Sequence, residues 1–486
     1  MMIEVKDLCF KYQHEKPMIL DHLNLDIKDG EWLVITGDSG CGKSTFALGL
    51  AGFLIHIIPG EISGSIIVNE SDVLKEGLAS ISEDVFLVQQ NPETQFCALT
   101  VKEELAFGLE NRRIPPEEIE KRIFKALSAL NAEDLINRQI NELSGGQQQK
   151  VAIATALALE PKVLILDEPS SNLDPTATRT LFLTLSDLRK QDHLTVIVVE
   201  HKPWIYKGLA TRQLEMKGGR LFEKEHLVKT AGIPITFEKN DKIENISPIV
   251  ELRGFKISFS TKQILKINEL KIFPGEIVSV MGPNGSGKTS LLLSLCGLIG
   301  IDAKEQKVFG KPITQKKDKS VLKNQGIVFQ NPDHQLFCDS VLEEINFAPY
   351  NFYGKDYDDI WVKSLIKKFD LDESLNTHPF HLSYGQKGRL NLASVLSYEP
   401  KLILLDEIFI GQDLNHVLFL LETIRDYVKQ RSATAIIVNH SAWPVFNYAS
   451  KMIFLDNQEV IIDCPIGNAC EELVKANKSE YLPVNH

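Results

Sequence analysis

The sequence predicts an α/β fold, built twice over in one chain. Short continuous runs of Val, Ile and Leu, such as VLIL at 163–166 and TVIVV at 195–199, suit strands buried on both faces of a parallel sheet. Stretches with helical spacing alternate with them, the pattern of a sheet covered by helices. Five short motifs then occur twice, in the same order. GDSGCGKST at 37–45 returns as GPNGSGKTS at 282–290, and VQQNPETQF at 88–96 as VFQNPDHQL at 328–336. ELSGGQQQK at 142–150 returns as HLSYGQKGR at 381–389, VLILDE at 163–168 as LILLDE at 402–407, and VVEHK at 198–202 as IVNHS at 437–441.

The copies are 245 residues apart at the first motif (288 − 43), 240 at the second (330 − 90) and 239 from the third onward (383 − 144). That period is far longer than a solenoid repeat and marks two domains of one fold. The first is expected over 1–229 and the second over 249–469. Between them TAGIPITFEKNDKIENISP (230–248) is polar, with Gly232, Pro234 and Pro248, and reads as a linker. The polar tail 470–486 is expected to fray.

Within the first copy, ILDHLNLDI, EWLVITG and VLILDE read as strands. Between Gln90 and Ser144 the pattern changes. IPPEEIEKRIFKALSAL opens on Pro115 and Pro116, carries acids in its first turn and repeats apolar residues at helical spacing. It is expected to belong to a helical subdomain inserted into the α/β core.

Composition narrows the function. The chain has 486 residues, 43% apolar and 24% charged, as in ordinary soluble domains. With 53 basic and 65 acidic side chains its net charge is −12, which argues against a general nucleic-acid binder. No apolar run reaches the ~18 residues of a membrane span. The longest candidate, Leu291–Ile301, is interrupted by Ser294 and Gly297. The N-terminus MMIEVKDL lacks the basic and apolar regions of a signal peptide, so a cytosolic chain is expected. The seven cysteines (9, 41, 97, 296, 338, 464 and 470) form no CxxC pair and are expected as free thiols.

Each GxxxxGK[ST] segment follows an apolar strand and precedes a helix-like run, the context in which this pattern wraps phosphate. The loops comprise Gly37, Ser39, Gly40, Cys41, Gly42, Lys43, Ser44 and Thr45, and Gly282, Asn284, Gly285, Ser286, Gly287, Lys288, Thr289 and Ser290. Glycines let backbone N–H groups turn toward phosphate oxygens, and the following helix adds its positive end. Lys43 and Lys288 are expected on the β/γ-phosphates, with Ser44 and Thr289 on Mg2+. At the two acidic strand ends, Asp167 and Asp406 are expected to hold Mg2+ through water. Glu168 and Glu407 are expected to polarise a water for in-line attack on a γ-phosphate.

LSGGQ at 143–147 adds a family resemblance. With the phosphate loops and acidic strand ends, it makes nearly the whole chain resemble two ATP-binding-cassette (ABC) nucleotide-binding domains in tandem. The resemblance implies ATP and Mg2+ as ligands and an intramolecular head-to-tail pairing of the two domains. One site would join Lys43, Gln90, Glu168 and His201 to Ser383, Gly385 and Gln386. The other would join Lys288, Gln330, Glu407 and His440 to Ser144, Gly145, Gly146 and Gln147. Tyr12 and Phe259 fit the aromatic that stacks on adenine. Gln90 and Gln330 fit the Q-loop glutamine that senses Mg2+ and the membrane partner. His201 and His440 fit the switch histidine, each 33 residues beyond its Glu (201 − 168; 440 − 407). Asp174 and Asp413 fit the D-loop.

The second copy departs from the pattern. Tyr384 stands where the first signature has Gly145, Ile408 where Pro169 stands, and Gln412 where Leu173 stands. Both sites are expected to hydrolyse ATP, the Lys43 site somewhat more weakly.

QNPETQF at 90–96 and QNPDHQL at 330–336 resemble the ATPases of energy-coupling factor (ECF) importers of vitamins and transition-metal ions. In those proteins a short helix after the Q-loop faces a transmembrane scaffold, and Gln95 and Gln335 are expected on it. The match implies two partners, the scaffold and a small membrane protein that binds the substrate, and a peripheral place on the cytoplasmic face of the membrane. The ATPase of a sugar importer and a soluble ribosome-associated ABC factor are the alternatives. The first lacks the paired QNPxxQ, and the second has a long charged linker that this chain does not.

Overall fold

The structure is a computed structural model that describes residues 2–13, 18–171, 173–200, 206, 208–223, 247–259, 262–299, 306–313, 319–440 and 443–483. The side chains of 192, 259, 262, 319 and 320 are outside this description. Two compact units divide the chain, Met1–Ala231 and Gly232–His486. The expected linker falls almost wholly outside the described residues.

In the first unit a six-stranded sheet runs Arg220–Glu223, Arg212–Lys217, Trp32–Thr36, Thr195–Val199, Val163–Asp167, Val85–Val88. All neighbours are parallel except the hairpin at 212–223. Trp32–Thr36, Val163–Asp167 and Thr195–Val199 are buried at every residue. That explains their apolar runs: with both faces covered, polar residues (Thr36, Asp167 and Thr195) are left only to the strand ends.

The N-terminal strands follow different rules. Leu20–Ile27 alternates buried and exposed side chains and pairs antiparallel with Ile3–Tyr12, which pairs with Gly60–Val68. These form a separate four-stranded sheet that presents one face to the core. The second unit repeats the plan, but its strands join one ten-stranded sheet. There the N-terminal pair is linked to the rest by Lys262–Ile272 lying parallel to Glu459–Pro465.

The inserted helical segment is present in both units. In the first, Val101–Asn111 starts at Thr100, whose side chain accepts from Glu103 N while Glu103 accepts from Thr100 N. This reciprocal cap satisfies two otherwise orphaned donors. Pro116–Ala129 starts at Pro116 as predicted, with Glu117 and Glu118 in its first turn, and buries Ile119, Ile123, Ala126 and Leu127 on one stripe.

The C-terminal tail corrects its expectation. Residues 470–483 do not fray away from the second unit. They begin in the helix Ala469–Lys475, and Tyr481 is buried edge-on against Phe454, ring centroids 4.8 Å apart. Ala469, Leu473 and Tyr481 join the core of the second unit, with Cys470, Ala476 and Leu482 packed against it, and together they dock a largely polar stretch. All seven cysteines are free thiols.

Candidate active site

The parallel strands of each unit end at one edge, and the expected phosphate and metal residues of the core lie at those strand ends, in the turns past them or in the first turn of the helix that follows. In open α/β sheets this edge is where ligands sit. Trp32–Thr36 leads into Gly37–Lys43, Val85–Val88 into Gln90, and Val163–Asp167 into Glu168.

The two phosphate loops share their geometry. Gly37 has φ 151° and Gly282 φ 146°. A Cβ at either would lie 2.3 Å from Met216 O or 2.1 Å from Leu455 O, so the loop can start only with glycine. Lys43 Nζ donates to the carbonyls of Gly37 and Asp38, both at 2.8 Å, and Lys288 Nζ to those of Gly282 and Pro283, both at 2.9 Å. Each ammonium is therefore buried and held at the loop's centre. Ser44 and Thr289 are exposed at the first helical turn, whereas Thr45 is buried. Thr45 Oγ1 lies 3.0 Å from Tyr12 Oη, so its hydroxyl braces the expected adenine-stacking ring rather than facing the loop. Phe259 ends the matching strand of the second unit, its side chain outside the description.

The acidic strand ends share burial and backbone conformation. Asp167, Glu168, Asp406 and Glu407 are all buried. Glu168 (φ 48°) and Glu407 (φ 51°) adopt the left-handed conformation and donate their N–H to Val199 O and Val438 O. That turn swings each carboxylate out of the strand line. Gln90 Nε2 donates to Glu168 Oε2 at 2.8 Å, and His440 Nε2 lies 2.7 Å from Glu407 Oε1. His201 lies outside the described residues.

These residues suit a divalent cation. Asp406 Oδ1 is buried and has no hydrogen-bond partner among the described residues. Burial, then the neighbouring Glu407, pushes the Asp406 carboxyl up to about 7, against the Thr289 hydroxyl and Lys288. A hard cation prefers such oxygen donors and would remove that penalty. Asp406, Thr289 and Gln330 could hold it in the second unit, and Asp167, Ser44 and Gln90 in the first.

At the signature turns, Ser144 and Ser383 each sit just before a helix, Gly145–Ala158 and Tyr384–Leu396. Gln147 and Gln386 use their Oε1 to accept from the backbone N–H of Ser144 and Ser383, both at 3.0 Å. They cap their own helices in reciprocal pairs with Ser144 and Ser383, which are exposed, while Gly146 is buried and Gly385 half-buried. Asp174 and Asp413 likewise cap helices, accepting from Ala177 N and His416 N at 2.9 Å.

The QNPxxQ segments have a local physical origin. Asn91 and Asn331 accept from Glu93 N and Asp333 N, and Pro92 and Pro332 open a short 3₁₀ turn. Gln95 accepts from Gln89 N and donates to Leu87 O, both at 2.8 Å. Gln335 does the same with Phe329 N (3.4 Å) and Ile327 O (3.0 Å). Gln95 and Gln335 end these short helical turns, and both side chains fold back and pin the Q-loop to its strand. Sequence reasoning missed Glu104 and Glu344, each buried and accepting from two backbone N–H groups, Cys97 and Ala98 or Phe337 and Cys338. Their signal was an acid repeated at one place in both LTVKEEL and DSVLEEI.

Comparison with known proteins agrees with this construction. The family model described as "ABC transporter" matches residues 20–171 and again 265–409. A putative HMP/thiamine import ATP-binding protein of Bacillus subtilis (strain 168) is 30% identical over 95% of this chain and 91% of its own length. A putative ABC transporter ATP-binding protein of Methanosarcina acetivorans is 32% identical over 95% of this chain and 84% of its own. Among solved structures, CbiO1 of Clostridium perfringens, part of the ABC transporter complex CbiONQ, is 32% identical, covering 46% of this chain and 86% of its own with a TM-score of 0.41. The chain belongs to the ABC transporter family, as an ATP-hydrolysing subunit whose two domains bind ATP with Mg2+.

Proposed function

We propose that this chain is the ATPase of an ECF-type importer, at the cytoplasmic face of a membrane, powering uptake of a vitamin or transition-metal ion. Its partners on this reading are a transmembrane scaffold and a small substrate-binding membrane protein, with no nucleic acid. The observation that carries the reading is the likeness to a putative HMP/thiamine import ATP-binding protein over nearly the full length of both chains. No helix among the described residues is long and apolar enough to cross a membrane.

The surface beside each QNPxxQ turn supports a partner there. Leu99 is 82% and Phe107 51% exposed in the first unit. In the second, Phe337 (62% exposed) and Phe347 (47%) meet edge-on, ring centroids 4.7 Å apart. A cleft of about 560 Å3 lies between Phe96–Glu103 and Gln139–Gln148. Apolar side chains grouped at a cleft suit an apolar helix face from a partner.

On this reading the chain's chemistry is ATP hydrolysis alone. Lys43 and Lys288 neutralise phosphate charge, and Ser144, Gly146, Ser383 and Gly385 grip a γ-phosphate. Glu168 and Glu407 polarise the attacking water, with Gln90 and His440 orienting them. Mg2+, when bound, spreads the charge that develops on the phosphates. The test is a tagged pull-down from detergent-solubilised membranes, read by mass spectrometry. A polytopic scaffold and a small membrane protein are expected. Ribosomal proteins with nothing from the membrane would overturn the importer reading.

A further inference from the structure

Two departures of the second copy converge on one place. Tyr384 stands where the first copy has Gly145, and Gln412 where it has Leu173. Tyr384 Oη donates to the backbone carbonyl of Gln330 at 3.1 Å. On the other side of the same helical turn, a Cβ on Gly385 would lie 3.4 Å from both Gln412 Nε2 and Oε1, and one on Gly388 3.5 Å from Nε2. Gln412 therefore lies along the glycines of the signature helix. Further links join this helix to the Q-loop turn. Lys387 Nζ pairs with Asp333 Oδ1 at 2.8 Å, and Asn391 Nδ2 donates to Pro332 O at 3.0 Å.

The first copy is built otherwise. Gly145 has no side chain to reach the Q-loop, and Leu173 is buried in the hydrophobic core. The counterpart of the Lys387–Asp333 ion pair is a hydrogen bond, Gln148 Nε2 to Glu93 Oε1 at 3.2 Å. The second signature turn is thus fastened to its own Q-loop glutamine, and the first is not.

We propose that Tyr384 is a positioning residue that makes the second signature turn move with Gln330, so that nucleotide capture at the Lys288 loop is transmitted to Ser383 within one domain. The inference rests on the nucleotide roles proposed above for Gln330 and Ser383. Its logic is mechanical. The Gln330 side chain and the carbonyl that Tyr384 holds belong to the same residue. Re-aiming that side chain toward Mg2+ and nucleotide turns the peptide, and the phenol carries the motion to the residue after Ser383. A neutral hydrogen bond of this kind supports a coupling of about 2- to 10-fold. The first copy has no side chain at this position, so the relay through a phenol belongs to the second domain only.

The test is hydrogen exchange of the full-length chain carrying Lys43→Ala, with and without Mg2+ and the non-hydrolysed analogue AMP-PNP. Nucleotide is expected to slow exchange at the 284–290 amides and, by about 2- to 10-fold, at the 384–389 amides. Tyr384→Phe is expected to abolish the second change and keep the first. Tyr384→Gly, which installs the first copy's residue, is expected to do the same, and the 145–150 peptide is expected to be indifferent to both substitutions. The readout is the nucleotide-dependent difference, which a merely structural role for the phenol would leave in place. Full retention of the 384–389 response in both variants would overturn the relay. If 284–290 showed no protection in any variant, the nucleotide assignment itself would fall, and the relay with it.

Discussion

His440 Nε2 lies 2.7 Å from Glu407 Oε1, at the ends of two neighbouring parallel strands, Thr434–Val438 and Leu402–Asp406. In the first unit Gln90 Nε2 donates to Glu168 Oε2 at 2.8 Å. Each carboxylate is thus buried, swung out by a left-handed backbone turn and held by a nitrogen on another loop. A group so placed can orient one water. Replacing both carboxylates, Glu168→Gln with Glu407→Gln, is expected to lower ATP turnover by at least ~100-fold. ATP binding should survive, because the phosphate loops are untouched. Steady-state hydrolysis and nucleotide binding of the double variant check this, and turnover near wild type would remove both residues from the chemistry.

Asp406 gives a pH dependence with a definite sign. Burial first, and Glu407 second, push its carboxyl up to about 7. Without Mg2+ the folded chain therefore keeps a proton that the unfolded chain releases between about pH 4 and about pH 7. The group's contribution to stability is present below that window and falls as pH rises through it. Asp406→Asn, which cannot ionise, should flatten the metal-free fall in unfolding temperature between about pH 4 and about pH 7. Mg2+ needs the ionised carboxyl, so its binding should weaken below about pH 7 and release a proton. Identical pH profiles for wild type and Asp406→Asn would refute the shift.

What could be read in the sequence was whatever depends on local spacing. Glycine at 37 and 282 is demanded by a backbone carbonyl across the loop, and strand ends carrying Asp–Glu follow a buried run, so motif and geometry coincide. Side-chain direction is not carried by spacing. The QNPxxQ pattern does not show that Gln95 closes on Leu87 O, nor LSGGQ that Gln147 caps its own helix. The polar composition of 470–486 conceals that Leu473 and Tyr481 join the core of the second unit, with Cys470, Ala476 and Leu482 packed against it. Gln412 carried no local signal, because its neighbours Gly385 and Gly388 lie more than twenty residues earlier.

Cys41 tests the first phosphate loop chemically. Its Sγ is 3.7 Å from Lys43 Nζ, yet burial raises the thiol above its ordinary range, and the lysine only partly opposes this. The thiolate is the reactive form, so a maleimide should modify Cys41 slowly near neutral pH and faster as pH rises. Because the sulfur lies inside the loop, modification should inhibit hydrolysis and ATP should protect. Cys41→Ser, matching Ser286 of the second loop, should abolish the inhibition at little cost in turnover. Inhibition that persists unchanged in that variant would place the sensitive thiol elsewhere.

The two units also differ in how they seal the helical layer onto the core. The first has a cavity of about 450 Å3 there, lined by Arg122, Ala126, Ala129, Leu157 and Leu188 among others. In the second, Trp361 and Tyr427 stand at the places of Arg122 and Leu188, 239 residues on (361 − 122; 427 − 188), their rings 6.1 Å apart. Trp361 Nε1 donates to Leu396 O at 3.0 Å and Tyr427 Oη to Pro400 O at 2.9 Å, so the polar atoms of both fillers are satisfied. Carrying this solution across, Arg122→Trp with Leu188→Tyr should fill the first unit's cavity and stabilise it by about 1–2 kcal/mol. The ion pairs lost are Arg122 with Glu118 and Glu160, whose acids are roughly half exposed, a cost under about 1 kcal/mol. For a unit of this size each kcal/mol moves the melting point by about 2–4 °C, within reach of calorimetry. An unchanged or lowered transition for the first unit would mean that the rings do not reach carbonyl partners there, and that helix Pro116–Ala129 sits differently from Asp359–Lys368 in its counterpart.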